Sequence, residues 1–256
     1  MSQLRQLDDG VLVRSYGVTF SIPSHKPPTS EVWDQLVYAI RGVLTVKTDL
    51  GTWVVPPHRA VWLPANTRHW LEMSGQTALR MIYLRKQEAQ SAKFDRSQCA
   101  VVSVSSLLRE LIVRTIQIGA LESNVPHHRH LSALIEDEIE AIETVPLQLP
   151  YPQSEVALKF ALALEKLDAF NSDWKHDMRD CGVSRRTLER IFLTETGMTL
   201  GQWIRRRKLL TGLDQLLRGE TTAYVAFHLG YSSPSAFIAM FRRELGSTPS
   251  TYTGKT

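Results

Sequence analysis

The strongest constraint on how this chain folds is a segment written twice, 49 residues apart. Sliding the sequence forward from Ser184 lays Ser184 on Ser233, Leu188 on Phe237, Phe192 on Phe241, Glu195 on Glu244, Gly197 on Gly246, Thr199 on Thr248 and Trp203 on Tyr252. An internal repeat means one structural unit built twice, and each column here has a physical reason to be kept. Ser184 and Ser233 are N-cap residues. After each come apolar residues at helical spacing: Leu188, Ile191 and Phe192 in the first copy, Phe237, Met240 and Phe241 in the second. Gly197 and Gly246 stand where such a helix stops, because glycine takes the left-handed conformation without strain. Thr199 and Thr248 cap the next helix, and Pro249 suits its first position.

A short helical stretch ending in glycine precedes each copy: Trp174 to Cys181 before Gly182, and Thr222 to Leu229 before Gly230. Helix, glycine turn, helix is the helix-turn-helix order. A repeat used only for packing would present neutral outward faces. With Leu188, Ile191 and Phe192 inward, however, Arg185, Arg186, Glu189 and Arg190 face outward, near the N-terminal end where a recognition helix meets base edges. Arginine offers guanine a bidentate fork, and glutamate accepts from the cytosine amino group. The second copy turns Ser235, Ile238 and Ala239 outward, with Arg242 and Arg243 at its end. These residue types suit thymine-methyl contact, shape readout and phosphate anchoring more than a hydrogen-bond code.

Leu200 to Leu217 is a helical connector with Trp203, Ile204, Leu209, Leu210, Leu213, Leu216 and Leu217 on its apolar side. About 18 residues at ~1.5 Å each span roughly 27 Å, enough to hold two recognition helices near one DNA turn apart, ~34 Å. It carries Arg205, Arg206, Arg207 and Lys208, and part of that run, Arg206 in particular, is expected on phosphates. Charge agrees: from Trp174 onward 13 Lys or Arg face 7 Asp or Glu, a balance of +6, leaving −2 for residues 1–173 of a chain whose net charge is +4. A basic patch confined to one part of a chain is a phosphate-binding footprint.

The stretch GVSRRTLERIFLTETGMTLGQWIRRRKL followed by VAFHLGYSSPSAFIAMFRRELGSTPSTY resembles the DNA-binding domain of the AraC/XylS transcriptional regulators, over roughly residues 155 to 256. The resemblance implies a helical domain with two helix-turn-helix subdomains joined by one helix, working on a promoter. Its base contacts would fall on Arg186, Glu189 and Arg190 in the first unit and on Ser235, Ile238 and Ala239 in the second. Ser233 and the arginines at 185, 206, 242 and 243 complete the expected interface.

Upstream, VLVRSYGVTFSI, QLVYAIRGVLTVKT, TWVVPP, RAVWLPA and LRMIYL are short strands broken at Gly42, Gly51, Pro56-Pro57 and Pro64, the pattern of a small β-barrel or jelly roll. WDQLVYAIRGVLTV with WVVPPHRAVWLPANTRHW resembles the cupin-type sensor domain that precedes the DNA-binding domain in one branch of that family. The expected fold class is therefore α+β: a cupin-like barrel at 1–95, a helical linker or dimerisation region at 100–152, and the all-α double helix-turn-helix domain at 153–256. VPLQLPYPQS, with Pro146, Pro150 and Pro152, marks the boundary.

A cupin often holds a metal, yet its usual histidine positions correspond here to Thr29 and Glu31 ahead of Gln35, and from the second motif Pro64-Ala65-Asn66 and His69 survive, His69 being its one imidazole. One imidazole, a carboxylate and an amide make a poor transition-metal set, so no metal and no cofactor are expected. His25, Gln35, Tyr38, Trp62 and His69 are the candidate lining of a small-molecule pocket. The HHRH run at 127–130 is expected in an exposed loop, and Cys99 and Cys181 as buried, inert thiols.

Between the halves, SSLLRELIVRTIQIGAL and LSALIEDEIEAIETV show helical spacing. Leu107, Leu108, Leu111 and Ile112 are expected against the barrel or a second subunit, and Glu136, Asp137, Glu138, Glu140 and Glu143 outward. No apolar run has membrane-helix length, and MSQLRQLDDG is not a secretory signal. A cytoplasmic, non-enzymatic regulator is therefore expected. Its partners would be double-stranded promoter DNA, an unidentified small-molecule effector, RNA polymerase if it activates, and a second copy as a homodimer. Two other readings stand beside it: a cupin oxygenase or isomerase fused to a DNA-binding module, which needs a metal triad, and an architectural DNA-bending protein, which needs little sequence preference.

Overall fold

The computed structural model describes residues 10–29, 32–57, 59–73, 76–85, 94–166 and 183–253, without the side chains at 25, 27–29, 165 and 166. Contacts divide the chain into two units. The first holds residues up to 48 with 53–147, and the second 49–52 with 148–256.

The first unit is mainly β. Its strands are β1 (Val11–Phe20), β2 (Ser24–Thr29), β3 (Asp34–Arg41), β4 (Leu44–Thr48), β5 (Gly51–Val55), β6 (Arg59–Leu63), β7 (His69–Met73), β8 (Thr77–Leu84), β9 (Ala100–Ser103), β10 (Ala120–Glu122) and β11 (Thr144–Val145). A short β12 (Gln148–Pro150) follows. Seven strands pair in the order β10-β1-β8-β3-β6-β9-β11, and five in the order β12-β5-β4-β7-β2. Helices α1 (Ser106–Ile118) and α2 (Pro126–Glu140) cross the larger sheet.

Register sorts the side chains, since alternate residues of a strand face opposite ways. On β3, Leu36 lies opposite Trp62 of β6 and Ile82 of β8, and Tyr38 lies opposite Ala60 and Arg80. That face buries against the helices through Leu108, Leu111, Ile112, Ile135 and Ile139. Gln35, Val37, Val61, Leu63 and Met81 occupy the other face and are also buried. They belong to the barrel interior, as do the buried alternates Leu44, Val46, Thr48, His69, Leu71 and Met73 of the smaller sheet. With apolar side chains on both faces, this sheet is a middle layer, and α1 and α2 group with the barrel because they cover it.

Three expectations about the helices change. Leu108, Leu111 and Ile112 face the sheet, whereas Leu107 is 49% exposed. Glu136 does not face outward: its carboxylate accepts from Arg96 Nη1 at 3.0 Å, with side-chain exposures of 17% and 6%. The Arg96 guanidinium also sits 4.6 Å over the Trp62 ring, whose Nε1 donates to Arg96 O at 2.9 Å. Burial drives the Glu136 carboxyl above its ordinary range, and Arg96 pulls it partly back. The 127–130 histidines sit in the first turns of α2 rather than in a loop, because Pro126 supplies the preformed N1 residue that starts the helix early. His128 Nδ1 there accepts from Glu122 N at 3.1 Å. Burial pushes the Cys99 thiol up to about 12, so it stays protonated and unreactive; Cys181 lies outside the described residues.

The second unit is helical: α3 (Glu155–Lys166), α4 (Arg185–Thr196), α5 (Leu200–Arg218), α6 (Thr222–His228), α7 (Pro234–Leu245) and α8 (Pro249–Thr253). The expected helix from Trp174 to Cys181 and its Gly182 lie outside the described residues. Inside this unit the turn residues 49–52 meet β12. Tyr151 N donates to Leu50 O at 2.8 Å, and the Thr52 and Tyr151 hydroxyls lie 2.6 Å apart. Trp203 Nε1 donates to Pro150 O at 2.7 Å.

Candidate nucleic-acid interface

The repeat columns become caps and cores. Ser184 Oγ accepts from Thr187 N, and Ser233 Oγ from Ala236 N, each at 3.2 Å. Gly197 and Gly246 close α4 and α7 at φ 70° and 77°, a region that side chains with a Cβ enter only at a cost. Thr199 and Gln202 form a full capping box at the start of α5. Leu188, Phe192, Phe237 and Phe241 are fully buried, each contributing about 1.5–3 kcal/mol. Phe192 meets Trp203 edge-on at 5.4 Å, and Phe241 meets Tyr252 the same way at 5.7 Å, so the paired columns pack alike.

One column diverges. The Glu195 carboxylate accepts from Gln153 N at 2.7 Å and Ser154 N at 2.9 Å, capping α3, and these bonds hold its carboxyl below the ordinary range. Its counterpart Glu244 lies beside Arg243 at 3.5 Å.

With the apolar faces buried, the outward faces of α4 and α7 are set. Arg185, Arg186, Glu189 and Arg190 are all exposed on α4. Arg185 Nε donates to Glu189 Oε1 at 2.8 Å across one turn. An exposed pair of this kind stabilises the helix by only about 0.3–0.5 kcal/mol, so it leaves both side chains readily available to another partner. On α7, Ser235, Ala239, Arg242 and Arg243 are exposed and Ile238 half-buried. Ser233 is occupied as the cap and half-buried.

The polybasic run on α5 divides by helical phase. Arg207 is 5% exposed; its spacing of four from Trp203 and three from Leu210 was the signal for this. Arg206 is half-buried, and desolvation lowers its affinity for the proton while the Glu244 carboxylate raises it. Arg205 is the exposed member. Sequence reasoning weighted Arg206; the structure gives the open position to Arg205.

Gly212 was missed by the sequence reading. A Cβ there would stand 2.9 Å from Leu229 Cδ1 and 3.0 Å from Phe237 Cε2, so the second helix-turn-helix unit seats on α5 because this residue has no side chain. Glycine in the middle of an otherwise leucine-rich helix was the available signal.

In the first unit the pocket candidates separate. Gln35 and His69 belong to the barrel interior, while Tyr38 and Trp62 pack against α1 and α2 on the opposite face. Strand alternation forbids residues 35 and 38 from sharing a side. The His25 side chain lies outside the described residues. His69 is 2% exposed, and its Nδ1 bonds Thr67 O at 2.8 Å. A carbonyl only accepts, so the ring proton sits on Nδ1, and burial holds the imidazole below its ordinary pKa. Among the described residues no group of three His, Cys, Asp or Glu could hold a metal ion, and no helix is long and apolar enough to cross a membrane.

Comparison with known proteins covers both units. Residues 17–143 match the family described as AraC-like ligand binding domain, and residues 178–255 a helix-turn-helix domain family. The chain is 30% identical over 221 residues to the HTH-type transcriptional regulator NimR of Escherichia coli, covering 85% of this chain and 78% of NimR. It is 43% identical over 72 residues to the regulatory protein SoxS of Salmonella typhimurium, covering 28% of this chain and 67% of SoxS. A solved structure of ToxT from Vibrio cholerae aligns over 95% of this chain and 98% of its own at 12% identity and a TM-score of 0.39, too loose a likeness to bear on the site.

Proposed function

The chain belongs to the AraC family of transcriptional regulators, with a ligand-binding N-terminal domain and a helix-turn-helix DNA-binding C-terminal domain, and on that premise we propose that its two units of helix-turn-helix read successive major grooves of a promoter unequally. The carrying observation is the contrast between the outward faces of α4 and α7: the exposed Arg185, Arg186, Glu189 and Arg190 on one, the exposed Ser235 and Ala239 with the half-buried Ile238 on the other. The first supplies hydrogen-bonded readout. The second supplies methyl contact and shape, with Arg242 and Arg243 on phosphates. The connector α5, at 19 residues, is about 28 Å long, close to the ~34 Å separating grooves one turn apart.

The effector reading narrows to the barrel interior, where Gln35, Thr48, His69 and Thr77 are, among the described residues, buried polar groups on largely apolar walls, the composition of a small-molecule pocket. A ligand there acts only by as much as its affinity differs between two arrangements of the protein. We assign the exposed Leu107 on α1 and Leu134 on α2 to a homodimer. Contact with RNA polymerase accompanies activation, if the chain activates.

Selection of duplexes from a randomised library, followed by footprinting, tests the reading. The expected result is protection of two major-groove segments one turn apart, with binding at least about 10³ tighter than to random DNA. Uniform protection with little preference would return the architectural alternative.

A further inference from the structure

Two recognition helices in successive major grooves leave one minor groove, with its flanking phosphates, facing whatever part of the protein lies between them. On the two-groove reading that part is the trough between α5 and α7. A hollow of about 480 Å³ is walled by Ile204, Arg205 and Lys208 of α5, by Ala239 and Arg243 of α7, and by Tyr231. A second, of about 460 Å³, shares Arg205 and Arg243 and reaches Gly197 at the end of α4. A third, of about 630 Å³, shares Ala239 and Arg243 and opens onto Ser235 and Ile238. Arg243 lines all three hollows, which lie in turn beside the end of α4, between α5 and α7, and on the outward face of α7.

Arg205 stands where the first two hollows meet. It is exposed, and no hydrogen bond or ion pair engages its guanidinium among the described residues. Its Nη1 rests over Gly201, where an added Cβ would come within 3.6 Å. Lys208 lies 5.2 Å over the Tyr231 ring, and Arg205 and Arg243 both act on the Tyr231 phenol against the upward push of burial. Among the described residues no carboxylate lines this hollow; Glu244 lines its neighbour, with Arg206, and adds to the upward push on Tyr231.

We propose that Arg205 enters the minor groove between the two major-groove segments, so that the chain selects A·T pairs at the centre of its site, with Lys208 and Arg243 holding the flanking phosphates. Narrow A·T minor grooves concentrate negative potential and draw in arginine. A guanine puts an amino group on the groove floor, in the guanidinium's way. Arginine is also less strongly hydrated than lysine and gives up its water at lower cost. The inference rests on the two-groove reading and adds specificity at positions neither recognition helix reaches.

The test uses the full chain and a duplex enriched from the randomised library, rebuilt with A·T, G·C or inosine·C pairs at its centre. Inosine lacks the guanine amino group, so inosine·C should bind nearly as well as A·T, and G·C about tenfold worse. Arg205→Ala should bind all three duplexes equally. Arg205→Lys should keep most of the affinity and lose most of the discrimination, while Arg186→Ala should keep the central preference and lose discrimination within its own half-site. A central preference unchanged in Arg205→Ala, or none in the wild-type chain, overturns the inference and leaves the two-groove reading standing. Wild-type protein that cannot distinguish enriched half-sites from scrambled ones overturns both.

Discussion

Replacing Gly212 with alanine sets helix propensity against packing, and the sign of the outcome decides between them. On an exposed helix face the change favours the folded state by about 1 kcal/mol. At Gly212 the new Cβ would stand 2.9 Å from Leu229 Cδ1, 3.0 Å from Phe237 Cε2 and 3.1 Å from Cζ of the same ring, well inside the ~3.5–4.0 Å at which carbon atoms attract. Neither neighbour has room to retreat. Leu229 and Phe237 are fully buried, and the Phe237 ring is held edge-on by Tyr231 at 5.7 Å and Phe241 at 5.8 Å. Overpacking a core costs roughly 1–3 kcal/mol. Three short contacts put this site in the upper part of that range, so about 1–2 kcal/mol is lost after the propensity gain is subtracted. For a domain of roughly 100 residues this lowers the thermal midpoint by about 4–12 °C. Thermal unfolding of the full chain reads the midpoint, and footprinting reads the consequence: weakened protection in the second major-groove segment, where α7 would be displaced, with the first retained. A raised midpoint would show that the α5 contact is loose and would refute the packing argument.

Arg186→Ala and Arg190→Ala should each cost about 1–3 kcal/mol of binding and relax preference at one or two base pairs, whereas Arg242→Ala should weaken all sequences alike and flatten the salt slope. Equal losses on specific and random DNA for the α4 variants would remove them from base readout. Burial holds His69 below its ordinary pKa of 6.5, so as pH falls the unfolded chain takes up this proton first. Its contribution to the first unit is complete above about 6.5 and lost as pH drops toward the depressed folded value. His69→Gln should flatten urea-unfolding stability over that window, and a slope unchanged by the substitution would remove His69 from the cause. Purified protein should carry no stoichiometric iron or manganese by inductively coupled plasma analysis; one equivalent would revive the fused-enzyme reading.

Local chemistry explains what was legible in advance. Caps at Ser184, Thr199 and Ser233, stops at Gly197 and Gly246, and the apolar spacing of Leu188 and Phe192 each depend on residues within a turn or two. A 49-residue repeat therefore exposes them twice in the bare sequence. Helical phase even separates Arg207 from Arg205 once Trp203 and Leu210 are placed.

The remainder depends on what lies across a face. A period of two shows that Gln35 and Tyr38 point opposite ways, but both faces of the larger sheet are covered by protein, so no polar alternation marks which side is the barrel interior. Tyr38 and Trp62 went to the helix-covered side for that reason. Glu136 reads as one of a row of exposed carboxylates until Arg96, 40 residues earlier, arrives beside it. Gly212 looks like a weak helix residue until Phe237 closes over it. The sequence by itself determined two helix-turn-helix units and which of their faces are basic. Only the tertiary structure decided that Arg205, rather than Arg206, stands open between them, because that depends on α7 bringing Glu244 and Arg243 against α5.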